Sequence, residues 1–155
     1  MGLIYLNNLS YQDIIARDGF YIATPIGNSM WPMLRSRVDT VKLVFPNKKL
    51  KKGNIILYKK NNQYILHRII KVCANEYVLC GDGNWQKEYH ITNHDIIAVG
   101  NGFYRKDKYI SCNNIIYRIY VIVWMTTRPL RKLFHYLTIV FSNKKKKQKN
   151  NDIAG

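Results

Sequence analysis

Between Phe20 and Ser111 turn formers cut the chain into short apolar runs, and that punctuation most limits what it can fold into. Phe20 to Ile26 reads as a strand. Val38 to Phe45 alternates, with Asp39, Val41, Leu43 and Phe45 on one side, as a strand with one buried face does. Pro46-Asn47-Lys48-Lys49 turns the chain and Leu50 to Gly53 forms a basic loop. Asn54 to Lys59 and Gln63 to Val72 then flank the tight turn Lys60-Asn61-Asn62, which predicts a β-hairpin. Glu76 to Leu79, Asp95 to Tyr104 (with Gly100 and Gly102 as bends or bulges) and Lys108 to Ser111 complete the series. Strands this short and this evenly spaced predict a mainly β domain of antiparallel strands, its sheet closed or half-closed.

The two ends read differently. Ser10 with Asp13 makes a capping pair for a short N-terminal helix that buries Ile14 and Ile15 and stops at Gly19. From Asn113 onward the style is helical. Ile115 to Met125 is apolar apart from Arg118, and after Arg128-Pro129 the residues Leu130, Leu133, Phe134, Leu137, Val140 and Phe141 share one helix face. The expected organisation is a β domain over 1–112, an apolar or amphipathic helical extension over 113–142 and a basic disordered tail over 143–155. At 155 residues with 47% hydrophobic content, one domain with a core is the expectation.

Charge narrows the partners. Twenty-five Lys and Arg against nine Asp and Glu give +16, and residues 118–155 carry nine of the cations and one acid, Asp152. Such a surplus calls for an anionic partner, either a membrane face or nucleic acid. The uncharged run Ile119 to Thr127 is nine residues, against about 20 needed to cross a bilayer. Two readings of 113–142 stay open: packing on the β domain, or lying in an anionic membrane interface with the basic residues up to Lys149 on the headgroups. The helical end has no recognition motif for nucleic acid, so no specific nucleic-acid partner is expected. Residues 1–9 lack a basic n-region, an apolar h-region and a small-residue cleavage site, so neither a secretory signal peptide nor an N-terminal anchor is expected. Three cysteines (Cys73, Cys80, Cys112) with no C-x-x-C pair give neither a disulfide framework nor a zinc site, and no cofactor is expected.

One constellation carries chemistry. Gly27-Asn28-Ser29-Met30-Trp31-Pro32 places a serine in a tight turn closed by a proline, and His67 follows inside a strand. Gly81-Asp82-Gly83-Asn84 then supplies an acidic loop. A serine hydroxyl becomes a nucleophile only with a base in hydrogen-bond reach, and histidine titrates in the useful range. An acid behind the histidine fixes its tautomer, and backbone N–H groups at the serine turn can hold an oxyanion. Taken singly, Ser29 is an ordinary turn serine, His67 a structural histidine and Asp82 a turn former.

Read together and in order, these segments resemble the superfamily of type I signal peptidases and LexA-like peptidases. Its Ser-Met-x-Pro nucleophile motif is similar to Ser29-Met30-Trp31-Pro32. Its Gly-Asp-apolar strand start resembles Gly53-Asn54-Ile55, with Asn in place of Asp. The His-Arg-apolar motif of the endoplasmic-reticulum type is similar to His67-Arg68-Ile69-Ile70, its Gly-Asp-Asn box to Gly81-Asp82-Gly83-Asn84, and its closing strand to Ile96–Gly100. The resemblance spans residues 20–104 and implies a serine endopeptidase, acting on a leader or signal peptide of a precursor and cutting after small residues. It implies Ser29 as nucleophile, His67 as base, and an acid six residues after Asp82, which is Glu88, with Asp82 and Asp95 as rivals. The turn residues Gly27, Asn28, Met30 and Pro32 are the expected oxyanion and substrate-binding positions, and Gly27 stands where signal peptidases often have a serine. Lys71, the alternative base, lies about 13 Å along a strand from His67. No Ala-Gly or Cys-Gly bond precedes Ser29, so a self-cleaving repressor is not expected. The expected enzyme is membrane-associated from the cytoplasmic side. The alternative is a non-catalytic basic β module that binds an anionic membrane or nucleic acid.

Overall fold

The computed structural model describes residues 10–138. Helix α1 (Tyr11–Asp18) carries the expected capping box: Ser10 Oγ accepts from the Asp13 N–H at 3.2 Å, while Asp13 accepts from the Ser10 N–H at 2.9 Å. Gly19 closes it in the left-handed conformation, and Ile15 is its buried residue, Ile14 being only half-buried.

Eight strands form one antiparallel sheet: β1 (Tyr21–Ala23), β2 (Thr40–Val44), β3 (Ile55–Lys60), β4 (Gln63–Val72), β5 (Tyr77–Cys80), β6 (Glu88–Ile91), β7 (Ile96–Arg105) and β8 (Lys108–Ser111). Their order is β1-β2-β7-β3-β4-β5-β6, with β8 also on β7. The strand expected over Phe20 to Ile26 shrinks to three residues, because its C-terminal half belongs to the serine turn. On β2, Val41 and Leu43 are buried as the alternation predicts, whereas Phe45 lies beyond the strand and is exposed. β6 has no counterpart among the expected strands.

The β3–β4 hairpin sets the geometry that matters. Asn61 and Asn62 take positive φ in the two-residue turn, as a twisted hairpin requires. Register then follows, with Lys60 opposite Gln63, Tyr58 opposite Ile65 and Ile56 opposite His67. Opposed residues share a face, so Ile56, Tyr58, Ile65, His67 and Ile69 look to one side and Ile55, Leu57, Leu66 and Arg68 to the other. The first face joins the core cluster of Leu50, Ile56, Tyr58, Ile69, Tyr77, Leu79 and Ile91. Each such fully buried side chain contributes roughly 1.5–3 kcal/mol. The sheet is curled: Lys60 on β3 pairs with Glu88 on β6 although β4 and β5 lie between.

Helix α2 (Ile115–Thr126) follows β8, with Asn114 Oδ1 accepting from the Ile116 N–H at its start. The chain divides into two compact units between Val121 and Ile122, past the 112/113 boundary expected from composition. Within the first unit Tyr117 and Val121 are buried, and the Tyr117 ring lies 5.7 Å from that of Phe103. A further helical segment runs over 128–138. Val140, Phe141 and the tail expected over 143–155 lie outside the described residues. Among the described residues no helix is long and apolar enough to cross a membrane.

Candidate active site

The serine turn is held by its neighbours in sequence. Met30, Met33 and Leu34 are buried, which pins the backbone from below and leaves Ser29 half-buried and Trp31 57% exposed. The Trp31 N–H donates to the Asn28 carbonyl and the Leu34 N–H to the Met30 carbonyl; the Trp31–Pro32 peptide is cis. Gly27, with φ of 94°, occupies backbone space that a side chain would strain, and its N–H donates to Ser36 Oγ at 3.0 Å. Behind the turn sits Asp39, fully buried, accepting from the Arg35 N–H and guanidinium and from Arg105. Burial alone would raise its carboxyl, but the Arg35 bonds and then Arg105 outweigh that and hold it at about 2.

The loop after β5 meets this turn. The Gly83 N–H donates to the Ser29 carbonyl at 2.9 Å. A Cβ on Gly81 would strike the Ser29 carbonyl and come within 3.1 Å of Ser29 Cβ, so only glycine lets the two backbones lie this close. Cys80, just before Gly81, pairs with Arg68, just after His67, where the β4–β5 ladder ends. Gly81 thus packs on Ser29 and lies one residue beyond the strand pair that adjoins His67. A cleft of about 370 Å³ lined by Asn28, Trp31 and Gly83 opens at this place.

His67 is 6% exposed. Burial pushes its imidazole below the ordinary 6.5, against the opposing pull of Glu88 and then Asp82, so it is neutral at pH 7. Its Nδ1 is 3.2 Å from the Tyr58 hydroxyl, and Nε2 makes no hydrogen bond among the described residues. No hydrogen bond joins it to Ser29 Oγ among those residues either.

Both expected acids are engaged elsewhere. Asp82 takes both oxygens to Arg68, at 2.7 and 2.6 Å, in an ion pair almost fully buried on each side. Arg68 also donates to the Gly53 carbonyl at 2.8 Å and to the Tyr117 hydroxyl at 3.1 Å. Burial works against the Arg68 charge, but the Asp82 carboxylate more than restores it. Glu88 is paired with Lys60. Asp95 caps its own turn, accepting from the Thr92 N–H and hydroxyl. Lys71 is exposed on β4.

Of the turn positions, the N–H of Ser29 donates to no described residue and is free to meet an oxyanion, whereas that of Gly27 is occupied by Ser36. Met30 is a core anchor, and Asn28 lines the cleft. Among the described residues no group of His, Cys, Asp or Glu is placed to hold a metal ion. The sequence reading missed Tyr58. Its signal was present, because a two-residue turn at Asn61-Asn62 fixes Tyr58 opposite Ile65 and hence diagonal to His67. Comparisons with protein-family models, curated proteins and solved structures find no match to this chain.

Proposed function

We propose that the chain is a serine endopeptidase resembling the signal peptidases, built on the same kind of short-stranded β domain and acting on a leader-bearing precursor. The supporting observation is that Gly81, packed on Ser29, follows the Cys80–Arg68 pair adjoining His67, whose neutral imidazole has no partner at Nε2 among the described residues. Ser29 Oγ attacks the substrate carbonyl carbon as its proton passes to His67 Nε2. The Ser29 N–H meets the resulting oxyanion, which is where preorganised donors have most effect. Collapse breaks the C–N bond, and the amine leaves with the proton from Nε2. Water, deprotonated by His67, then hydrolyses the acyl ester and frees Ser29. A peptide laid in the cleft at Asn28, Trp31 and Gly83 would present its carbonyl to Ser29.

Ser29→Ala tests this by co-expression with a leader-bearing precursor. Loss of processing by a variant with unchanged circular dichroism is the expected result; full processing by that variant overturns the reading.

One observation favours a membrane partner, and it would serve the alternative of a non-catalytic basic module equally. Within the first unit the exposed face of α2 is apolar: Ile115, Ile116 and Ile119 are 54–75% exposed, with Arg118 at the rim. No acid occurs between Asp107 and Asp152. An apolar face edged by cations fits the interface of an anionic bilayer, approached from the cytoplasmic side.

A further inference from the structure

The group in contact with His67 is a phenol. We propose that Tyr58 is the positioning residue for His67, accepting a hydrogen bond from Nδ1–H on its hydroxyl oxygen and so leaving Nε2 unprotonated, as a base must be. This rests on the peptidase reading of Ser29 and His67, but its physical signature can be read without activity.

The geometry follows from the hairpin. Tyr58 and His67 are diagonal neighbours on the core face of β3 and β4, the hydroxyl 3.2 Å from Nδ1, and Tyr58 is fully buried. Water cannot readily replace that partner. The carboxylates that normally do this work are spoken for, Asp82 by Arg68 and Glu88 by Lys60.

A tyrosine hydroxyl can donate or accept, so the sense of the bond decides the function. If the phenol donated to Nδ1, the imidazole proton would sit on Nε2 and the base would be blocked. A base at Nε2 requires the other sense, in which Nδ1–H donates to the phenol oxygen. Glu88, on the same face from β6 and itself paired with Lys60, bears on both Tyr58 and His67, and Asp82, paired with Arg68, bears on His67 from the loop after β5. Burial first, then Glu88 and Cys80, raise the phenol above its ordinary value, so it stays protonated. Glu88, paired with Lys60, makes no direct hydrogen bond to His67 among the described residues.

Imidazole ¹⁵N shifts of histidine-labelled protein read the tautomer directly. The wild-type protein is expected to show His67 fixed as the Nδ1–H form, and Tyr58→Phe to show a mixture with Nε2–H. In peptide cleavage Tyr58→Phe should lower kcat by at least about tenfold, within the 10²–10⁴ that general base catalysis supplies, with KM little changed. A wild-type His67 in the Nε2–H form overturns the proposal even if Tyr58→Phe fails to fold. An unchanged tautomer and kcat in a folded Tyr58→Phe overturn it as well. If instead Ser29→Ala still cleaves, the peptidase reading fails, while the ¹⁵N result continues to decide what Tyr58 does to His67.

Discussion

At the scale of the residue, the proposed base depends on its burial. A histidine whose folded value lies below 6.5 is neutral at pH 7 and remains so some way into mild acid. The acidic limb of kcat/KM should therefore fall below pH 6.5, as a pH–rate profile will show; a limb above it would mean that His67 is charged where a base is needed. The same shift has a stability consequence. The unfolded chain takes up the proton first as pH drops through 6.5, so His67 destabilises the fold progressively below that point and has no such effect above it. The partners of the two candidate acids were not readable from spacing. Asp82 and Arg68 are 14 residues apart and Glu88 and Lys60 are 28 apart, so both pairings arise from sheet register and curl. Ser29 and His67 stand out in the sequence because the local motifs around each are short and ordered in the chain.

At the scale of the element, local chemistry was a good guide wherever it was complete. The capping box at Ser10 and Asp13, the Asn61-Asn62 hairpin and the β8 strand all stand where the residues place them. Strand β6 lacked such a signal: His90 takes a positive φ within it, and its exposed middle residues break the alternation a half-buried strand shows. The loop after β5 is the element the site leans on, and Arg68–Asp82 ties it to β4. Breaking one member of a buried pair leaves an uncompensated charge, at a cost of about 3–5 kcal/mol. Asp82→Ala is accordingly expected to lower the unfolding midpoint sharply in denaturant titration. A stable Asp82→Ala that loses only kcat would return Asp82 to the role of orienting acid.

At the scale of the whole molecule, composition indicated a mainly β chain with a helical, basic C-terminal part, and the described residues bear out the antiparallel sheet. It left undecided whether that part packs or faces outward, because a helix apolar nearly all round has no unique inner face. The structure divides the surface of α2: Tyr117 and Val121 are buried and the isoleucine stripe is exposed. Ile119→Asp should weaken co-sedimentation with phosphatidylserine vesicles, while phosphatidylcholine vesicles bind neither protein. Equal binding by both proteins would remove α2 from the membrane proposal.

The central claim is that His67 activates Ser29 to cut peptide bonds, and a peptide library digested by purified protein tests it most directly. Mass spectrometry of the new termini should show one consistent set of cuts by the wild-type chain, absent from Ser29→Ala and from His67→Ala. Identical cuts by all three proteins, or none by the wild-type chain anywhere in the library, would contradict the account.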